Sequence, residues 1–158
     1  MTKPLETMKA MGQALIQGSP QANALGCQLV SVEHAEAVLR LPYREDLIGD
    51  PDTGVIAGGA VTTLLDHTLG QAVWAALPEY IPIATLDLRI DYMRPAEPGL
   101  AITAHAHCYK LTRSVAFVRA FAYDRDRSDP IAAAQTAFML NSDGGRGAGA
   151  NLKGGSQM

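Results

Sequence analysis

The sequence predicts an α+β domain in which an antiparallel sheet wraps around one long central helix. Three observations predict it. One stretch, VIAGGAVTTLLDHTLGQAV from Val55 to Val73, carries apolar residues at helical spacing. After Pro78 the period changes, and four strand-like segments follow one another with no helix between them. Only two short strand-like segments precede the helix.

In chain order, Leu5, Met8, Leu15 and Ile16 recur at near-helical spacing until GSP stops the pattern, which predicts a short N-terminal helix within residues 1–20. LGCQLVSVEHAEAVLRL, from Leu25 to Leu41, reads as two strands joined at Glu33-His34. PYREDLIGDPDTG is dense in Pro, Gly and Asp and reads as a loop. In the central helix, Val61, Leu64, Leu65, Thr68 and Ala72 form a continuous apolar stripe. Gly59, Thr62, Thr63, Asp66 and Gly70 form a second stripe of small and polar residues, a face suited to close approach by a ligand or another chain.

The next segment, TLDLRIDYM, alternates strictly, with Leu86, Leu88, Ile90 and Tyr92 on one face and Thr85, Asp87, Arg89 and Asp91 on the other. RPAEPG turns the chain, and LAITAHAHCYKL, RSVAFVRAFAYD and IAAAQTAFML supply the last three strands. The main domain is therefore expected over residues 21–141. The Gly-rich remainder, 142–158, lacks apolar periodicity and is expected to be a flexible tail.

With 158 residues, 47% hydrophobic and 18% charged, the chain can bury a core of its own. A formal net charge of -3 with no basic cluster argues against a nucleic-acid partner. The N-terminal segment has neither the apolar run of a signal peptide nor the length of a membrane span, so a cytoplasmic protein without membrane contact is expected. Cys27 and Cys108 lack metal or redox spacing and read as buried thiols.

Two features of the helix segment carry chemistry. Gly58 and Gly59 stand where the helix starts, where unpaired N–H groups bear partial positive charge and the missing Cβ lets a ligand approach the backbone. The bland reading is a Gly-Gly turn into a helix. Taken alone, Asp66 reads as a solvated helix charge; its small-residue stripe tilts the reading toward a general base or nucleophile.

The pattern G-x-x-x-G-G-x-x-x-x-L-L-D, from Gly54 to Asp66, resembles the acyl-CoA thioesterases of the hotdog-fold superfamily, in particular the phenylacetyl-CoA thioesterase group. TLDLRIDYMRPAEPG and TRSVAFVRAFAYD extend the likeness to roughly Leu25–Leu140. The resemblance implies that the Gly58 backbone N–H polarises the thioester carbonyl, that Asp66 is the catalytic carboxylate, and that Thr85 orients the carboxylate or the water. It further implies contacts to coenzyme A from Gly59, Thr112, Arg113 and Ser114. It implies a homodimer or homotetramer, with coenzyme A as part of the substrate and no separate cofactor or metal. Two positions depart from the family pattern. Ala57 stands where a His is usual, and Pro51 where an Asn is frequent, with Asp50 and Asp52 as neighbouring substitutes.

Gly58 and Asp66 lie eight residues apart, so one helix separates them by roughly 12 Å along its axis. One thioester cannot meet both in the same chain, which calls for two antiparallel helices in a dimer. The alternative function is a hotdog protein that binds acyl-CoA without cleaving it. His105 and His107 share a strand face that suits a metal, but no third ligand is spaced to join them. Arg89, Arg94 and Arg113 could pair with coenzyme A phosphates or be solvated. Trp74, Leu77, Tyr80 and Ile81 could line an acyl pocket or close the core.

Overall fold

The computed structural model describes residues 3–140; the expected tail lies outside them. Helix α1 (Leu5–Gly18) is followed by a short helix α2 (Pro20–Leu25), which the sequence reading does not contain. GSP ends the first helix but starts the second: Ser19 Oγ accepts from the Ala22 N–H, and Pro20 opens the new turn. Strands β1 (Gln28–Glu33) and β2 (Glu36–Leu41) form a hairpin whose turn is His34-Ala35, one residue later than expected. Ala35 adopts φ 61°, and its carbonyl accepts from the Cys108 N–H, which holds an otherwise costly backbone in place.

The segment read as a plain loop contains a 3-10 turn at Glu45–Leu47 and a small hairpin of β3 (Ile48–Asp50) and β4 (Val55–Ile56). Gly54, at φ 77°, and the Tyr43 hydroxyl bonded to its carbonyl shape the turn. Val55 and Ile56 thus belong to a strand, and the central helix α3 runs from Gly58 to Ala76. Gly49 of β3 lies against the residue before that helix. A Cβ at Gly49 would stand 2.7 Å from Ala57 Cα and 3.0 Å from Ala57 Cβ. Gly49→Ala is expected to cost about 1–3 kcal/mol, the usual range for overpacking. Gly18→Ala, where a Cβ meets nothing within 4 Å, serves as the control in thermal denaturation.

The remaining strands are β5 (Ile83–Tyr92), β6 (Ile102–Leu111), β7 (Val115–Tyr123) and β8 (Ala132–Leu140). They join β1 and β2 in one antiparallel six-stranded sheet of order β1-β2-β6-β7-β8-β5, so β5 is an edge. Helix α3 packs across β2, β6 and β7. Its Leu64, Leu65, Leu69 and Val73 are fully buried against a sheet face of Ala104, Ala106, Ala116, Ala120 and Ala122. Small residues on the sheet let large ones on the helix seat closely, each buried Leu contributing about 1.5–3 kcal/mol.

Every member of the predicted apolar stripe of α3 is buried. The small-residue stripe is open at Gly59 but closes at Gly70, which is buried beside Ile83, Trp74 and Phe138. The strict alternation expected of β5 is broken by a bulge between Thr85 and Asp87. Leu86 falls in it and is 55% exposed, while Asp87 Oδ1 takes the Ala137 N–H.

Candidate active site

The first turn of α3 begins at Gly58 with Ala57 as its N-cap, and no side chain caps it. The Ala60 and Val61 N–H groups bond back to the Ala57 carbonyl. The Gly58 and Gly59 N–H groups precede that ladder, as the first donors of a helix do. The space above them is open: a Cβ at Gly59 would meet nothing within 4 Å, and one at Gly58 only the Tyr92 ring at 3.7–4.0 Å.

Asp66 lies two turns further on, half-buried, and its Oδ1 accepts the Thr85 hydroxyl at 3.3 Å. The two residues that the family resemblance pairs thus meet, through the approach of α3 to the start of β5. Gly58 meets the other end of the same strand, where the Tyr92 hydroxyl donates to its carbonyl at 2.8 Å. Tyr92 joins the candidate site through this bond; in the sequence reading it is only one apolar position of a strand. Each half of the candidate site is therefore pinned to its own end of β5. Thr85 and Tyr92 are seven positions apart, roughly 20 Å along the bulged strand.

A cavity of about 380 Å³ opens beside Gly58. Val55, Ile56, Val61, Met93 and Ile131 give it apolar walls, and Tyr92 stands at Gly58. Arg94 also lines it, but its guanidinium is spoken for. It grips Asp124 with two bonds of 2.7 and 3.0 Å, and donates to the Asp129 carbonyl at 2.8 Å. Its Nε lies 3.1 Å from Asp129 Oδ2 without being aimed at it. Arg94 is thus committed to Asp124 and Asp129 rather than free for a phosphate. The same carboxylate of Asp124 receives the N–H groups of Glu97 and Arg125, so the loop after β5 is tied to the end of β7. Arg94 holds the Asp124 carboxyl far below the usual carboxylate range.

Thr112, Arg113 and Ser114 form the exposed β6–β7 turn, closed by Thr112 Oγ1, which takes the Val115 N–H at 2.9 Å. Through Phe138, which pairs with both Thr85 and Ala116, that turn lies at the Thr85 end of the sheet, two strands away. The Asp50 carboxylate takes the Asp52 N–H and the Thr53 hydroxyl of its own turn. Trp74, Leu77, Tyr80 and Ile81 close the C-terminal end of α3. Trp74 stacks on Tyr80 at 5.6 Å and donates to the Ile81 carbonyl. His105 is engaged by Glu36 at 2.9 Å. Arg89 pairs with the neighbouring Asp91. Cys27 and Cys108 are free and buried, which raises both thiols.

His67, next to Asp66, is pushed below the ordinary histidine value of 6.5 by burial, with the Asp66 charge opposing. The unfolded imidazole binds a proton more readily than the folded one, so protonation favours unfolding as pH falls below about 6.5. The melting temperature is expected to decline from pH 7 to pH 5.5, and His67→Gln to flatten that decline.

The model of the family described as the thioesterase superfamily matches residues 53–131, half of the chain and all of α3 and β5. The chain belongs to the thioesterase superfamily. Its fold is the hotdog fold. A Pseudomonas aeruginosa protein of known crystal structure is 40% identical to this thioesterase-superfamily chain, over 84% of this chain and 98% of that one, with a TM-score of 0.78. A candidate esterase of Halobacterium salinarum is 35% identical over 98 residues, which span 60% of this chain and 65% of the relative. The medium/long-chain acyl-CoA thioesterase YigI of Salmonella typhimurium is 26% identical over 148 residues, 85% of this chain and 94% of the relative. Both of these relatives are thus described as hydrolases, of the esterase and the thioesterase kind. Among the described residues, no helix is long and apolar enough to cross a membrane.

Proposed function

We propose that the protein hydrolyses an acyl-CoA thioester to the free acid and coenzyme A, in a site shared between two copies of the chain. The observation that carries this reading is the placement of Asp66 and Gly58 at opposite ends of the edge strand β5. An exposed edge of ten residues is a template for antiparallel pairing with a copy of itself. Centred between Leu88 and Arg89, such a pairing sets Thr85 opposite the partner subunit's Tyr92. Each Asp66 is thereby brought toward the partner subunit's Gly58.

In the proposed reaction the Asp66 carboxylate, held by Thr85, takes a proton from water as the oxygen attacks the thioester carbon. The N–H groups at the start of α3 hold the carbonyl oxygen as it gains charge, aided by the helix dipole. Collapse breaks the C–S bond and releases the thiolate. With a thiol pKa near 8.5, that leaving group needs little help from a general acid, so a His at position 57 is dispensable. Side chains, backbone and water supply every part of this scheme. The cavity beside Gly58 takes the apolar acyl portion, and the exposed 112–114 turn meets the coenzyme A arm.

Thiol release from a panel of aryl, medium-chain and long-chain acyl-CoAs tests the reading, with thermal shift measured in parallel. Hydrolysis of at least one class is the expected result. Stabilisation by acyl-CoA without thiol release would instead identify a non-catalytic acyl-CoA-binding protein. Gel filtration with light scattering checks the homodimer or dimer of dimers.

A further inference from the structure

The Gly58 carbonyl sits in an unusual arrangement. It accepts the Tyr92 hydroxyl at 2.8 Å and the Thr62 hydroxyl at 3.0 Å, and the two hydroxyls lie 2.7 Å from each other. Each hydroxyl has one proton to give. In every allocation at least one O–H reaches the Gly58 oxygen, and the other either joins it or strengthens it through the chain Thr62–Tyr92.

That oxygen is one end of the peptide group whose other end is the Gly59 N–H. Amide resonance couples the two: density drawn to the oxygen leaves the N–H more positive and a stronger donor. Gly58 N–H belongs to the preceding peptide, whose carbonyl, on Ala57, accepts among the described residues only from the helix N–H groups of Ala60 and Val61. Gly59 is also the more open of the two, since among the described residues nothing outside its own stretch of helix backbone comes within 4 Å of its missing Cβ. We propose that Tyr92 and Thr62 are positioning residues that polarise the Gly58–Gly59 peptide, making the Gly59 N–H the stronger donor to the thioester oxygen. This inference rests on the hydrolase reading above and deepens it.

The arrangement also gives the first turn a fixed orientation. Two successive glycines with no side-chain cap leave that turn with little local restraint of its own. The Tyr92 bond ties it to β5, so donors and carboxylate are referenced to the same strand.

The test is Tyr92→Phe, which keeps the ring beside Gly58 and removes only the hydroxyl. The expected result is a kcat about 10-fold lower with KM within about twofold. That is less than the 10²–10³ seen on deleting an oxyanion donor, because the N–H itself remains. The Gly59 amide proton is expected to move upfield in the ¹H–¹⁵N spectrum, a readout independent of turnover. Replacing Tyr92 with 3-fluorotyrosine, a stronger donor while protonated, is expected to raise kcat above wild type at pH 6.5. A kcat within twofold of wild type for Tyr92→Phe overturns the proposal, as does an unmoved Gly59 resonance or a loss confined to KM. A wild-type chain that releases no thiol sinks the hydrolase reading instead, and the Gly59 resonance then still reports whether the peptide is polarised.

Discussion

Asp66→Asn is expected to lower kcat on the best thioester by about 10³-fold, within the range for removing a positioned base. The amide keeps the size of the carboxylate and can still meet the Thr85 hydroxyl, so α3 and its approach to β5 are preserved. It cannot take a proton from water. KM should change little, because Asp66 acts on the attacking water rather than on coenzyme A. Circular dichroism and light scattering should match wild type. Wild-type turnover in this variant would remove Asp66 from the mechanism, and a loss of the oligomer would make its role structural. Thr85→Ala should give a smaller loss, since it removes the group that orients the carboxylate and leaves the base in place.

Arg94→Met is expected to give the largest loss of stability, about 3 kcal/mol. That is the low end of the range for breaking a buried pair, because the Arg94 side chain is 27% exposed while that of Asp124 is 2% exposed. The methionine keeps the aliphatic stem but leaves the Asp124 carboxylate buried with only backbone partners. At 2–4 °C per kcal/mol for a chain of this size, the melting temperature should fall by roughly 6–12 °C. The pH dependence follows from the same pair. Asp124 titrates lower in the folded than in the unfolded chain, so its stabilising effect is present above about pH 4 and fades as pH falls below it. Wild type should therefore lose stability steeply below pH 4, and Arg94→Met should start lower and fall less. A variant melting within 2 °C of wild type would show that the clamp is dispensable. Because Arg94 also lines the cavity beside Gly58, a shift in acyl-chain preference is expected with it.

The helix and the paired glycines were legible because their signals are local. Apolar spacing over Val61–Ala72 demands a helix with one buried side, and every residue of that stripe is buried. Thr85 was legible only through the family resemblance, yet the contact with Asp66 is present. Other features depend on partners far away in sequence. Tyr92 reads as a strand residue until its hydroxyl meets the Gly58 carbonyl, 34 positions earlier. Arg94 reads as a candidate phosphate ligand until Asp124, 30 positions later, claims it. The bulge at Leu86 is equally hidden, since a flawless alternation in sequence says nothing about how the neighbouring strand registers.

By itself the sequence determined the α+β order of elements, the identity of the central helix, and the residue types able to polarise a carbonyl and activate water. It also determined that Gly58 and Asp66 cannot serve one thioester within a chain, because helical rise sets their separation. Only the tertiary structure decided which side chains secure those groups. Hydrogen bonds such as Tyr92 to Gly58 and Arg94 to Asp124 form between residues that only the crossing of helix and sheet brings together, and no local periodicity encodes that crossing.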